Sequence, residues 1–197
     1  MKINAIMEEN NNKELFTVTV FSENRVGLLN QISIIFTRRK LNIESLSVSP
    51  SSIKGVHKFT ITAYADETTI AKLVQQVEKR IDVLKSFYYR DDEIVYQEVA
   101  LYKVPTAELL NEKNLEAIIR HHNARILEIT NEYTVIEKTG HDDETTALFE
   151  ELKRFDIRQF VRSGRVAVTK SPEEYVTMYI EERARRKEEV ERCLNAE

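Results

Sequence analysis

The sequence predicts an α+β fold of two tandem β-α-β-β-α-β units followed by a charged helical tail. Three observations lead there. Hydrophobic residues switch between a period of two and a period of about 3.6, in the same order twice. Each round takes about 80 residues, far too long for a solenoid repeat. The 197 residues fall between one ordinary domain and two small ones. With 42% apolar and 31% charged residues, the chain has enough apolar material for a core and no collagen-like or disordered bias.

The first round begins with Leu15 to Phe21, which alternates as a strand. Leu28, Leu29, Ile32, Ile35 and Phe36 recur at helical spacing, so Val26 to about Lys40 reads as an amphipathic helix. Ile43 to Ser49 alternates again, Pro50 to Gly55 makes a turn, and Val56 to Ala65 completes a hairpin. Asp66-Glu67-Thr68 caps a second helix with a core face of Ile70, Leu73, Val74 and Val77. Val83 to Tyr89 closes the unit.

The second round starts with the strand Ile94 to Val104. Pro105-Thr106 opens a helix carrying Leu109, Leu110, Leu115, Ile118 and Ile119. Ala124 to Ile129 and Tyr133 to Lys138 form a hairpin, and Asp142-Asp143 opens a helix with Ala147, Leu148, Leu152 and Phe155. Ile157–Val161 and Arg165–Val168 give one last strand, broken at Ser163-Gly164. Both rounds have the split-βαβ, ferredoxin-like connectivity. The expected division is a flexible N-terminus over 1–13, domains over 14–90 and 91–170, and a tail over 171–197. In the tail Tyr175, Met178 and Tyr179 form the one clustered apolar face, on what reads as a solvated helix.

Composition excludes several function classes. Four Gly (Gly27, Gly55, Gly140, Gly164) cannot build a GxGxxG or GxxxxGK[ST] phosphate cradle. A single Cys193 excludes an internal disulfide and a Cys-based zinc site. His57, His121, His122 and His141 never reach HxxxH or HExxH spacing, and the adjacent pair reads as solvated helix surface. Residues 1–90 carry a net +4 and residues 91–170 a net −5. The only basic run, Arg38-Arg39-Lys40, suits a helix C-terminus, so nucleic acid is not an expected partner. The polar, acidic start lacks a signal core, and no apolar stretch approaches membrane-spanning length; the chain reads as cytoplasmic. The acidic groups Asp91-Asp92-Glu93 and Asp142-Asp143-Glu144 fall at turns or helix starts, where acids favour the dipole, and nothing supplies a nucleophile.

Chemistry concentrates where the first strand meets its helix, at Ser22-Glu23-Asn24-Arg25-Val26-Gly27-Leu28-Leu29. Asn24 either caps the helix or presents its carboxamide to a ligand. Gly27 either packs or opens the helix N-terminus, where free amides attract a carboxylate. Asn42, before the second strand, is either a turn residue or a second amide, and two amides suit the ammonium and carboxylate of an amino acid.

Asn24-x-x-Gly27-x-Leu29, then Phe36-Thr37-x-Arg39 and Asn42-Ile43-Glu44-Ser45-Leu46-Ser47-Val48, resemble the ACT-domain signature of the acetolactate synthase (acetohydroxyacid synthase) small, regulatory subunit. The likeness continues through Lys58-Phe59-Thr60-Ile61, Gln76-Val77-Glu78-Lys79, Glu98 to Val104 and Arg162-Ser163-Gly164-Arg165-Val166-Ala167. Lys40-Leu41 replaces the family's common Gly-aromatic pair, and the tail after Pro172 is longer than in compact bacterial members.

The resemblance implies an N-terminal ACT domain that homodimerises and an ACT-like C-terminal domain. It implies a branched-chain amino acid effector, usually valine, at the dimer interface. Its contacts would be Asn24, Arg25, Val26, Gly27, Leu28 and Leu29 of one protomer and Asn42 and Ile43 of the other, with Val26, Leu28 and Ile43 lining an apolar pocket. It also implies a catalytic large subunit as partner, carrying thiamine diphosphate, Mg²⁺ and FAD, with no catalytic residue, metal or cofactor in this chain. A stand-alone tandem-ACT amino-acid sensor acting on transcription or another enzyme is the alternative expectation.

Overall fold

The computed structural model describes residues 13–110, 115–172, 176–182 and 185. The expected flexible N-terminus, apart from Lys13, lies outside them, as do Tyr175 and Cys193 and most of the tail. The chain divides into two compact units: one up to Val95 together with the chain from Val168 on, the other Tyr96–Ala167.

In the first unit, β1 (Glu14–Glu23), α1 (Leu28–Arg38), β2 (Ser45–Pro50), β3 (Val56–Ala65), α2 (Glu67–Glu78) and β4 (Val83–Tyr89) follow in order. The strands form an antiparallel sheet ordered β2-β3-β1-β4. Alternation along β1 sends Phe16, Val18 and Val20 into one core with Phe59, Ile61 and Ala63 of β3, Leu28, Ile32, Ile35 and Phe36 of α1, and Ile70, Leu73 and Val77 of α2. The opposite residues of the central strands are threonines, with Thr17 facing Thr62 and Thr19 facing Thr60 across the β1–β3 ladder. All four are 6% exposed or less, and Thr62 shares a 2.6 Å hydroxyl contact with Ser45 of β2.

Helix α1 is shorter at both ends than the expected span of Val26 to about Lys40. It stops because Lys40 adopts a left-handed φ of 55°. The Lys40 and Leu41 amides then donate to the carbonyls of Thr37 and Phe36, at 3.0 and 3.1 Å. This is a Schellman closure, in which glycine is the usual residue. Helix α2 begins as expected, with the Asp66 carboxylate accepting from the Thr69 amide at 2.8 Å. The Thr68 hydroxyl adds a second bond, and together they hold the Asp66 carboxyl far below the ordinary carboxylate range. Pro50 ends β2 rather than sitting in the turn.

The second sheet is ordered β6-β7-β5-β8, with β9 also paired to β5. Its elements are β5 (Ile94–Pro105), α3 (Thr106–Leu110), α4 (Leu115–His121), β6 (Arg125–Ile129), β7 (Tyr133–Gly140), α5 (Asp142–Leu152), β8 (Gln159–Arg162) and β9 (Val166–Thr169). The single closing strand expected from the sequence is thus two, separated at Gly164 with φ 73°. Tyr102 anchors the core beside Ala100, Val104, Ile136, Leu148 and Leu152, and its hydroxyl donates to the Thr145 carbonyl at 2.6 Å. His122 is not plain solvated surface: its Nε2 lies 2.6 Å from Glu151 Oε2, with the imidazole 12% exposed. Among the described residues no helix is long and apolar enough to cross a membrane.

Candidate functional site

The expected turn joins β1 to α1. Glu23 and Asn24 are fixed by backbone bonds, Glu23 N–H to the Asp82 carbonyl at 2.9 Å and Asn24 N–H to the Gly55 carbonyl at 3.3 Å. Gly27 stands at the N-cap with φ 86°. Its carbonyl accepts from Gln31, and the Leu28 amide reaches the Arg25 carbonyl at 3.4 Å. Among the described residues the amides of Leu29 and Asn30 have no acceptor. No side chain caps this helix and no acid occupies its first turn, unlike α2 and α5. The positive end of α1 therefore carries open donors.

Below the turn is a cavity of about 200 Å³ lined by Glu23, Asn24, Arg25, Gly27, Leu29, Val48, His57 and Phe59. Of the residues expected from sequence, it gathers Asn24, Arg25, Gly27 and Leu29. Leu28 does not line it: at 1% exposure it is a core residue, because the first helical position facing the sheet is buried by Val20 and its neighbours. Val26 is fully exposed on the crest of the turn and also stands outside the lining. Asn42 and Ile43 lie past the other end of α1, roughly 16 Å along an 11-residue helix. The Asn42 carboxamide donates to Glu44 at 2.9 Å, and Ile43 packs half-buried on the first core. Within one chain neither joins the cavity.

Glu23, Val48, His57 and Phe59 were not anticipated. The alternation of β2 and β3 held the signal: Val48 pairs with Phe59, and Ser22 with His57, so these side chains point to the helix side of the sheet beside the turn. The cavity is mixed in character. Leu29, Val48 and Phe59 are apolar, Asn24 and Glu23 offer oxygens, and Arg25 offers a guanidinium. Arg25 is held by exposed pairs to Glu23 at 3.3 Å and Asp82 at 3.8 Å. Pairs of that kind are worth at most about 1 kcal/mol, so a ligand carboxylate can compete for the guanidinium.

The second unit concentrates charge at its closing loop. Glu98, 6% exposed, lies 3.5 Å from Arg162 Nε and 3.8 Å from Arg165 Nε. Burial pushes its carboxyl up, against the pull of Arg162. Ser163 is bonded to β5 in both directions, its amide to the Val99 carbonyl at 2.9 Å and its hydroxyl to the Val99 amide at 3.0 Å. The Arg162–Arg165 segment thus clasps the middle of β5. The acids Asp142, Asp143 and Glu144 form the first turn of α5, and Glu144 accepts from the His141 amide at 2.8 Å. Their positions suit the helix start, and the Asp142 carboxylate also pairs with Arg162.

Comparison with known proteins matches both units. Residues 18–85 fit the family model described as AHAS small subunit-like ACT domain, and residues 97–171 fit that of the small subunit of acetolactate synthase. The chain is 32% identical over 163 residues to the acetolactate synthase small subunit of Bacillus subtilis, covering 82% of this chain and 93% of that one. It is 32% identical over 151 residues to the small subunit of Aquifex aeolicus, covering 77% and 79%. The crystal structure of the small subunit from Thermotoga maritima shares the fold, with a TM-score of 0.73 at 24% identity over 81% of this chain and 99% of that one. Two family models in the right order and relatives alike along most of their length lead to one assignment: the chain belongs to the acetolactate synthase small-subunit family.

Proposed function

We propose that this chain is the non-catalytic regulatory subunit of a cytoplasmic acetolactate synthase. It binds the large catalytic subunit, raises its activity, and lowers it again when a branched-chain amino acid, valine first, fills the cavity beneath the β1–α1 turn. The observation that carries the reading is the uncapped first turn of α1, with its open Leu29 and Asn30 amides, together with the mixed cavity that Leu29 lines. The amides and Arg25 suit the effector carboxylate, Asn24 and Glu23 suit its ammonium, and Leu29, Val48 and Phe59 suit an isobutyl-sized group.

The cavity reaches β2, the edge strand of the sheet, through Val48. A second copy meeting that edge would complete the site with its own Asn42 and Ile43, which have no role in the cavity of their own chain. An unpaired edge is a natural place for such pairing. Inhibition then follows from linkage: the effector shifts the complex only by its differential affinity for two arrangements of the dimer, about 1–3 kcal/mol. One methylene in an apolar pocket is worth a similar amount, about 1–3 kcal/mol, so valine, leucine and isoleucine would be resolved only modestly. Thiamine diphosphate, Mg²⁺ and FAD would belong to the large subunit.

The test is a titration of separately purified large subunit with this chain, with and without L-valine. Acetolactate formation should rise with added chain, and valine should reverse part of the rise. Asn24→Ala should weaken the valine effect about tenfold or more, the loss of one buried polar contact, while activation persists. No activation refutes the subunit role, and full inhibition of the Asn24→Ala complex at unchanged valine concentration refutes the cavity.

A further inference from the structure

The chain beyond Ser171 lies outside the residues matched by either family model, yet from Val168 on it groups with the first compact unit. Residues 176–182 are helical. Val176 is 3% exposed. Tyr179, three positions on and so on the same face, places its ring centroid 5.9 Å from Lys85 Nζ of β4. Met178, on another face, is 56% exposed. Of the expected face Tyr175, Met178 and Tyr179, Met178 is exposed, Tyr179 meets Lys85 and Tyr175 lies outside the described residues, while Val176, which is not part of that expected face, is the buried one.

Lys85 is a joint of the first unit. It pairs with Glu78 at the end of α2 and stands opposite Phe21 in the β1–β4 ladder. Three residues earlier, Asp82 carries the other half of the joint. Its carbonyl accepts from the Glu23 amide at 2.9 Å, and its carboxylate lies 3.8 Å from Arg25 Nε. The short Asp82–Lys85 segment thus touches the tail at one end and the β1–α1 turn at the other.

We infer that the C-terminal helix is a regulatory strap. Docked through Val176 and Tyr179, it steadies the Asp82–Lys85 segment and through it the Glu23–Arg25 turn, so that effector affinity depends on the docking of the tail. The inference rests on the effector reading of the cavity. Coupling of this kind is reciprocal, so filling the cavity must tighten the strap by the factor that the strap adds to affinity.

Hydrogen exchange on the full chain, read by peptide mass, with L-valine affinity measured in parallel, tests it. Without valine, the amides of 176–182 should exchange about tenfold or more slower than free-chain rates, and added valine should slow them further. Val176→Asp should abolish this protection. The milder Tyr179→Ala should weaken valine binding by roughly threefold or more, with β1 and β3 peptides unchanged as the check on folding. Free-chain exchange of 176–182 in the wild type overturns the strap, and a loosened strap with unchanged valine affinity overturns its regulatory role. A wild-type chain that protects 176–182 but does not bind valine refutes the effector reading and the coupling together, leaving the helix as static packing.

Discussion

Replacing Gly27 by alanine isolates the backbone cost of the β1–α1 turn. Gly27 has φ 86° and ψ −6°, and an added Cβ would meet nothing within 4 Å. No overlap contributes, so the whole penalty is the left-handed conformation, about 1–2 kcal/mol for an L residue. In a chain of 197 residues each kcal/mol moves Tm by about 2–4 °C, so Gly27→Ala should lower Tm by about 2–8 °C. Asparagine tolerates this region better, so Gly27→Asn should fall between wild type and alanine. Gly27 lines the cavity, and the asparagine side chain reaches further than the alanine methyl, so valine binding should suffer more in the asparagine variant although it is the more stable. Calorimetric melting and titration calorimetry on the three proteins read the two orders. A loss above about 4 kcal/mol for alanine would mean a steric clash that the open surroundings exclude, and equal valine affinity in all three would detach the turn from binding.

Two further substitutions probe the second unit. A Cβ on Gly140 would come within 2.5 Å of Glu144 Oε2. Gly140→Ala should therefore drive that carboxylate off the His141 amide and cost about 1 kcal/mol, the worth of a lost helix cap, read by chemical denaturation. Tyr102→Phe removes a buried hydroxyl bond and should cost about 0.5–1.5 kcal/mol at neutral pH. Burial pushes the Tyr102 hydroxyl up to about 12 from an ordinary 10.0. The unfolded chain therefore loses this proton first, and the stabilisation, complete below pH 10, fades as pH rises towards 12. Denaturation midpoints measured across that window should fall for the wild type and stay flatter for Tyr102→Phe.

The element order was legible because both periodicities are clean: α2 buries every residue that its helical stripe names, α1 buries all of its stripe but Leu29, and Asp66 announces α2 by its chemistry. Helix ends were harder to read. Lys40, Asn123 and Asp156 all adopt left-handed φ of 49–55°, and a chain with four glycines offers no glycine to mark those stops. Leu28 lies outside the cavity because neighbours on a helix are turned by about 100°, which adjacency in sequence hides and which sends Leu29 to the cavity and Leu28 to the core. His57 and Phe59, 30 and 32 positions from Gly27, enter the cavity through strand pairing: alternation gives the face they share, but local pattern does not encode which strands they pair with. The split between β8 and β9 was visible as Ser163-Gly164, but the shared partner β5 was not.

The threonine pairs of β1 and β3 have a consequence for how the chain finds its pairing. A strand that slips by one residue turns every side chain to the other face. Here such a slip would set Phe16, Val18 and Val20 where Thr17 and Thr19 belong and drive hydroxyls against the two helices. Each hydroxyl stranded without a partner there costs about 1–3 kcal/mol, on top of the aliphatic contacts forfeited. A misregistered β1–β3 pairing therefore lies above the native one in free energy, and the threonine face fixes the alignment of the sheet under its helices.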